Sequence, residues 1–337
     1  MSSSGSGATG PIQPTSTGPT PVSAPAHTPA PEPKFFASVY PGSSQEISKP
    51  FGKKLKAIQN ELGMPLWLLI QNSDDDWGHL SFQVFKGIQE KRDTIAAKEP
   101  VALLIESPGG SAGFAYHIAR MFQRRASDFV VLVPQYAKSA ATLLALGATR
   151  LVMAPDAELG PLDVQIFDPE REQQGSALET VQSLERLNAF VLTAVDQLVP
   201  LIASRSGKKI ETVTPWILSY ACDFVRPLLE KIDTVDFTKK SRELKEAEEY
   251  AARLMQEVYG WSRAKQIARR LVEKYPTHGF VIDCTEAGSP LPKSDQDKEY
   301  GLGLNIESPA GNLGGLLEDL VPDIDRITAV GQFIEEP

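Results

Sequence analysis

Between residues 64 and 155, short and strongly apolar runs alternate with stretches of helical spacing, and this alternation limits the possible folds more than any other feature of the chain. Pro65–Gln71 (PLWLLIQ), Val101–Ile105 (VALLI), Phe129–Val133 (FVVLV) and Arg150–Ala154 (RLVMA) have the length of buried strands. Between the first two, Phe82, Val84, Phe85 and Ile88 recur at helical intervals across 81–95. A helix is predicted from the Gly110 turn to about Arg125, and a small-residue helix from Ser139 to about Leu146. Strands and helices alternating in this way predict an α/β fold, a mainly parallel sheet wrapped by helices.

From residue 176 onward the pattern becomes helical. Ala177–Ile202 carries Leu184, Leu187, Val191, Val195 and Leu198, and Lys208–Leu229, Thr238–Tyr259 and Arg263–Lys274 continue the series. Pro215 and Pro227 predict bends or breaks, because proline removes a helical N–H and crowds the preceding turn. A short strand at Gly279–Asp283 and a turn near Gly301–Ile306 follow. Residues 1–34 are Pro, Ser, Thr and Gly with almost no large apolar side chain, so they bury too little surface to offset their ordering entropy. A disordered leader is expected there.

A net charge of −9, with no Lys/Arg stripe to offset it, argues against nucleic acid as a partner. Cys222 and Cys284 lack CxxC spacing and read as buried or semi-buried thiols in a reducing compartment. His27, His79, His117 and His278 are scattered, so no zinc site is expected. No basic segment followed by an apolar core opens the chain, and runs such as Met64–Ile70 are too short to span a bilayer. A cytoplasmic protein without a membrane span is the expectation.

Two strand-end turns carry the chemistry. In Ser107-Pro108-Gly109-Gly110, paired glycines let backbone N–H groups point outward at a helix start, where they suit an oxyanion or a phosphate, or else form a tight turn. Thirty residues after Gly109, Ser139 precedes Ala140-Ala141-Thr142 at the start of the next helix. A serine there is by default an N-cap; as a nucleophile it needs an oxyanion hole and a base. The Gly-x-Ser-x-Gly elbow of the α/β-hydrolases is absent. Asp74-Asp75-Asp76 reads as acids favouring a helix N-terminus, His117 as a packing residue, and the Lys239–Arg253 charge run as a solvated helix face.

Ser107–Gly110, Ala137-Lys138-Ser139-Ala140, the Leu143–Ala148 helix, Val152–Pro155 and Glu158–Gln165 occur in that order. This succession resembles the serine dehydrogenase proteinase family, which is similar to signal peptide peptidase A and to the Clp proteolytic subunit. The resemblance covers roughly residues 65 to 305 and is most specific from 103 to 165. It implies the ClpP/crotonase fold, a ββα-superhelix with a helical C-terminal region. By the resemblance, Ser139 is the nucleophile, the N–H groups of Gly109 and Ala140 form the oxyanion hole with Gly110 sharing the task, and Asp163 lies where Clp-type peptidases carry their histidine. It further implies an ATP-independent serine peptidase forming an acyl-enzyme on a peptide or protein substrate, homo-oligomeric, with no metal or organic cofactor. The expected division is a leader at 1–34, a ClpP/crotonase-like catalytic core at 35–175, a helical region at 176–305 completing the core and its oligomer contacts, and a tail at 306–337.

The general base departs from the family patterns. Clp-type enzymes place a histidine about 25 residues after the serine and signal-peptide-peptidase-like enzymes a lysine 40 to 50 residues on, yet no Lys or His occurs between Lys138 and Lys208. Lys138, Asp163 and His278 remain as bases, with Lys138 the first choice and Asp163 its charge partner. Two rivals stand beside the peptidase: a crotonase-type acyl-CoA enzyme and a catalytically inactive oligomeric scaffold.

Overall fold

A computed structural model of the protein describes residues 33–38, 44–95, 97–163, 165–168, 173–292 and 301–336. The leader expected over 1–34 lies outside the described residues as far as residue 32. The chain enters through β1 (Lys34–Ser38), β2 (Ser44–Ile47) and α1 (Lys49–Leu62), a helix closed by Gly63 in the left-handed conformation at φ 65°. The alternating region follows as β3 (Leu66–Ile70), α2 (Phe82–Glu90), β4 (Val101–Glu106), α3 (Ala112–Arg125), β5 (Phe129–Val133), β6 (Tyr136–Ala137), α4 (Ala140–Ala145), β7 (Arg150–Met153) and β8 (Glu158–Leu159). Every residue of β3, β4 and β5 is buried, which is why these strands read as unbroken apolar runs.

A two-stranded ribbon of β9 (Gln165–Asp168) and β10 (Gln173–Ser176) leads into α5 (Ala177–Ser206), α6 (Ile210–Leu229), α7 (Thr234–Tyr259) and α8 (Trp261–Glu273). The chain ends with β11 (Ile282–Asp283), α9 (Cys284–Gly288), β12 (Ile306–Glu307), α10 (Leu313–Ile324) and β13 (Ala329–Glu336). The central sheet has the order β12-β7-β5-β4-β3-β13-β1-β2. Its five strands from β12 to β3 are parallel, whereas β13, β1 and β2 are joined antiparallel. The α/β class, the mostly parallel sheet and the helical region after it are as the alternation implies.

The expected tail at 306–337 is corrected by the structure. Residues 329–332 of β13 pair with β3, and Leu317, Leu320 and Ile324 of α10 are buried in the core. Gly331, at φ 119°, lies so close to the Ser38 carbonyl that a Cβ would overlap it. Of the bends or breaks expected at Pro215 and Pro227, a break occurs at neither: α6 runs through both. Cys222 is exposed rather than buried, and Cys284 is half-buried with its Sγ 3.2 Å from the Pro155 carbonyl. The Asp74–Asp76 run belongs to a turn ahead of α2, where Asp75 accepts from its own Trp77 N–H, and Ser81 caps the helix instead.

α5 and α6 form a helical arm. α6 lies along α5 and buries Val213, Ile217, Ala221 and Val225, while Phe190, Leu192, Trp216, Tyr220 and Phe224 stay about half exposed. Between Arg186 and Arg205 the only charge on α5 is Asp196. By length and composition α5 could cross a bilayer, although polar residues interrupt its apolar ones along the sequence.

Candidate active site

The two signature turns meet beyond the carboxyl ends of the parallel strands, where open α/β sheets form their clefts. Ser107 N–H donates to the Tyr136 carbonyl and the Ser107 carbonyl accepts from Lys138 N–H, so the end of β4 clamps β6. On its other side β6 pairs with β8 through residues 136–137 and 158–159. Thr142 ties the base of α4 in place: its hydroxyl donates to the Ala137 carbonyl at 2.6 Å and accepts from Gly160 N–H at 3.0 Å. Ser139 is presented from between these anchored segments.

Ser139 has φ 50° and ψ −119°, a conformation that side chains other than glycine rarely adopt. Such a backbone costs about 1–3 kcal/mol and persists only where the surroundings impose it. The residue stands at the N-cap of α4, but its side chain makes no capping bond. Among the described residues no protein group hydrogen-bonds its hydroxyl. The default reading of a serine at a helix start therefore does not apply.

The glycine turn lies directly against Ser139. A Cβ on Gly109 would sit 2.6 Å from the Lys138 carbonyl oxygen and 2.9 Å from Ser139 Cβ, and one on Gly110 would sit 2.5 Å from the Leu80 carbonyl oxygen. Their φ values of 104° and 140° exclude side chains independently. The N–H of Gly109 turns inward to Ser107 Oγ at 3.1 Å, and Ser107 Oγ in turn donates to Gln71 Oε1 at 2.6 Å. Gly110 and Ala140, by contrast, have N–H groups with no partner among the described residues, and both line the cavity. The structure thus gives the donor role expected of Gly109 a different geometry: Gly109 allows the close approach, and Gly110 and Ala140 keep the free donors.

Ser139 opens onto a cavity of about 610 Å³, whose lining includes Gly110, Ala140, Leu143, Asp163 and His278. His278 comes from the loop between α8 and β11: after it β11 pairs with β8, and before it the Leu271 carbonyl of α8 accepts from Leu162 N–H. Its Nδ1 is buried and lacks a hydrogen bond among the described residues. Asp163 accepts from Leu178 N–H and from Ser176 at the start of α5. Burial holds its carboxyl above the usual range, while those hydrogen bonds and the attraction of His278 act against the shift. Lys138 is not among the lining residues. Its Nζ lies 2.6 Å from Glu158 Oε1, so its charge partner is Glu158 and not Asp163. His117 packs against Phe85 and Tyr116, as expected.

His79, Glu243 and Glu246 also line the cavity. The sequence offers little signal for them: His79 lies in the irregular segment before α2, and the two glutamates lie within the charge run read as a solvated face of α7. Their spacing of three does place them on one side of that helix.

Residues 58–211 match the family model described as ClpP-like SDH-type serine proteinase. Two curated relatives, both uncharacterized proteins of Methanocaldococcus jannaschii, are 24% identical over 74% of this chain and 26% identical over 63% of it. The chain spans 63% and 55% of the lengths of those relatives. Among solved structures, a peptidase from Plasmodium falciparum matches with 11% identity and a TM-score of 0.26, covering 45% of this chain and 84% of its own. A membrane-bound stomatin-specific protease matches with 18% identity and a TM-score of 0.27, covering 46% of this chain and 69% of its own.

Proposed function

We propose, from the membership of residues 58–211 in the ClpP-like SDH-type serine proteinase family, that this protein is a serine peptidase acting without ATP through an acyl-enzyme at Ser139. The observation that carries this reading is the strained Ser139 beside two N–H groups, its hydroxyl and both donors unbonded among the described residues. Ser139 Oγ attacks the scissile carbonyl carbon, and the oxygen that becomes negative lies against the N–H groups of Gly110 and Ala140. One such donor is worth about 3 kcal/mol in the transition state. The proton leaving Ser139 passes to His278, which returns it to the departing amine; Asp163 stabilises the imidazolium meanwhile. Water then releases the acyl group by the same route. An acyl-CoA hydratase or isomerase has no use for a serine held in this conformation, and an inert scaffold has none for the free donors.

His278 is preferred to Lys138 as the base because it lines the cavity with Ser139, whereas the Lys138 ammonium is engaged by Glu158. Turnover of a fluorogenic peptide should fall by about a hundredfold or more in His278→Ala and recover partly when imidazole is added. Lys138→Ala should lose less, through disorder of the loop alone. A fully active His278→Ala enzyme would return the role to Lys138 or Asp163.

The reading also includes a homo-oligomer, its contact formed by the α5–α6 arm packing on the arm of a second copy. The arm leaves Phe190, Leu192, Trp216, Tyr220 and Phe224 about half exposed, aromatic and aliphatic side chains of the kind that protein interfaces cover. Light scattering on the full chain should show an oligomer, and the triple variant Phe190→Ser, Trp216→Ser, Phe224→Ser should shift it to monomer. A wild-type monomer that sediments with lipid vesicles would assign the arm to a bilayer instead.

A further inference from the structure

The cavity at Ser139 has two kinds of wall. Leu143, Leu162 and Ala247 provide apolar surface, while Glu243 and Glu246 stand on the α7 side with no Lys or Arg among the described lining residues. Neither glutamate forms an ion pair among the described residues; Glu246 accepts from the neutral Tyr250 hydroxyl. Lys138, the nearest cation in sequence to the nucleophile, is neutralised by Glu158. With Asp163 as a third carboxyl group, the cavity carries acidic groups and, among its described lining residues, only the two histidines as potential cations.

Such a cavity matches a side chain that is apolar along its stem and cationic at its tip. We infer that the peptidase selects substrates with lysine or arginine beside the scissile bond, the methylenes lying on Leu143 and Leu162 and the cation meeting Glu243 and Glu246. This inference rests on the peptidase reading and adds the substrate class to it. Lysine and arginine commonly bury their stems on apolar surface while the charge reaches a polar group. A carboxylate substrate is disfavoured by like charge, and a purely aliphatic one leaves the glutamates without a counter-ion.

The test uses peptides identical except for lysine, norleucine or glutamate at one position next to the cleaved bond. Norleucine matches the lysine stem without its charge. With full-length wild-type protein, kcat/KM for lysine should exceed that for norleucine by about fivefold or more, and high salt should reduce the ratio. In the Glu243→Gln, Glu246→Gln double variant the ratio should approach one. The same peptides are then titrated onto Ser139→Ala protein by fluorescence anisotropy, which reads charge preference without chemistry. Tighter binding of the lysine peptide there supports the inference even if the wild type turns nothing over, a result that would sink the peptidase reading alone. Equal binding of the lysine and norleucine peptides, or an undiminished preference in the double variant, overturns the inference and leaves the peptidase standing.

Discussion

Ser139→Ala is expected to lower hydrolysis by roughly ten-thousand-fold or more while leaving the thermal unfolding midpoint unchanged. The two halves of this expectation have separate physical grounds. Removing the hydroxyl removes the group that forms the covalent bond, and the remaining donors and cavity supply only the residual catalysis of binding. Stability is untouched because the hydroxyl neither caps α4 nor bonds a described neighbour, and alanine faces the same backbone strain at φ 50° that serine does. Ser139→Gly provides the contrast: glycine adopts that conformation freely, so it should be equally inactive yet no less stable. Labelling by a fluorophosphonate should follow turnover, with the added mass on the peptide containing Ser139. Normal turnover by purified Ser139→Ala protein would dispose of the mechanism.

Glu106→Gln is expected to flatten the pH dependence of stability. Glu106 closes β4 with 1% of its surface exposed, and its Oε2 accepts the Gln135 and Tyr136 N–H groups at 3.2 Å each. Burial pushes its carboxyl up to about 8, the two backbone donors pull against the shift, and the charges of Asp325 and Glu158 add to it. Between about 4.5 and about 8 the folded chain therefore holds a proton that the unfolded chain has released. Stability due to this group is greatest below the unfolded value and is lost as pH rises through the folded one. The full loss is on the order of 3–5 kcal/mol. Urea unfolding of the wild type from pH 5 to 9 should show a falling midpoint that the glutamine variant largely lacks. Parallel curves would mean that the carboxylate is accommodated charged. Because the same carboxyl secures the approach to Ser139, activity should weaken on the alkaline side together with the fold.

The parts of the fold legible in the sequence are those written in local patterns. β3, β4 and β5 are buried throughout and read as apolar runs, and α5 to α8 begin or end close to the residues their periodicity indicates. β13 was hidden because its stretch after Val330 contains a glycine and ends in acids, so only its pairing with β3 makes it a strand. The site divides in the same manner. Ser139 and the glycine pair lie on turns that a sequence can announce. His278, Glu243 and Glu246 arrive more than a hundred residues later, carried by helix packing that no spacing encodes. The direction of the Gly109 N–H depends on one hydroxyl, Ser107 Oγ, and helix α6 tolerates its prolines because their missing N–H bonds lie on an exposed arm.

The tie between Asp163 and Leu178 N–H has a mechanical consequence. α5 is 30 residues long, about 45 Å, and it is rooted at the wall of the cavity. An arm of that length is a lever whose fulcrum is a carboxylate. Swings of several ångströms at the far end correspond to only a few degrees at the root, so thermal motion of the tip barely disturbs Asp163. A torque held at the tip acts in the opposite sense: it concentrates at the fulcrum, on the hydrogen bonds that orient the carboxylate.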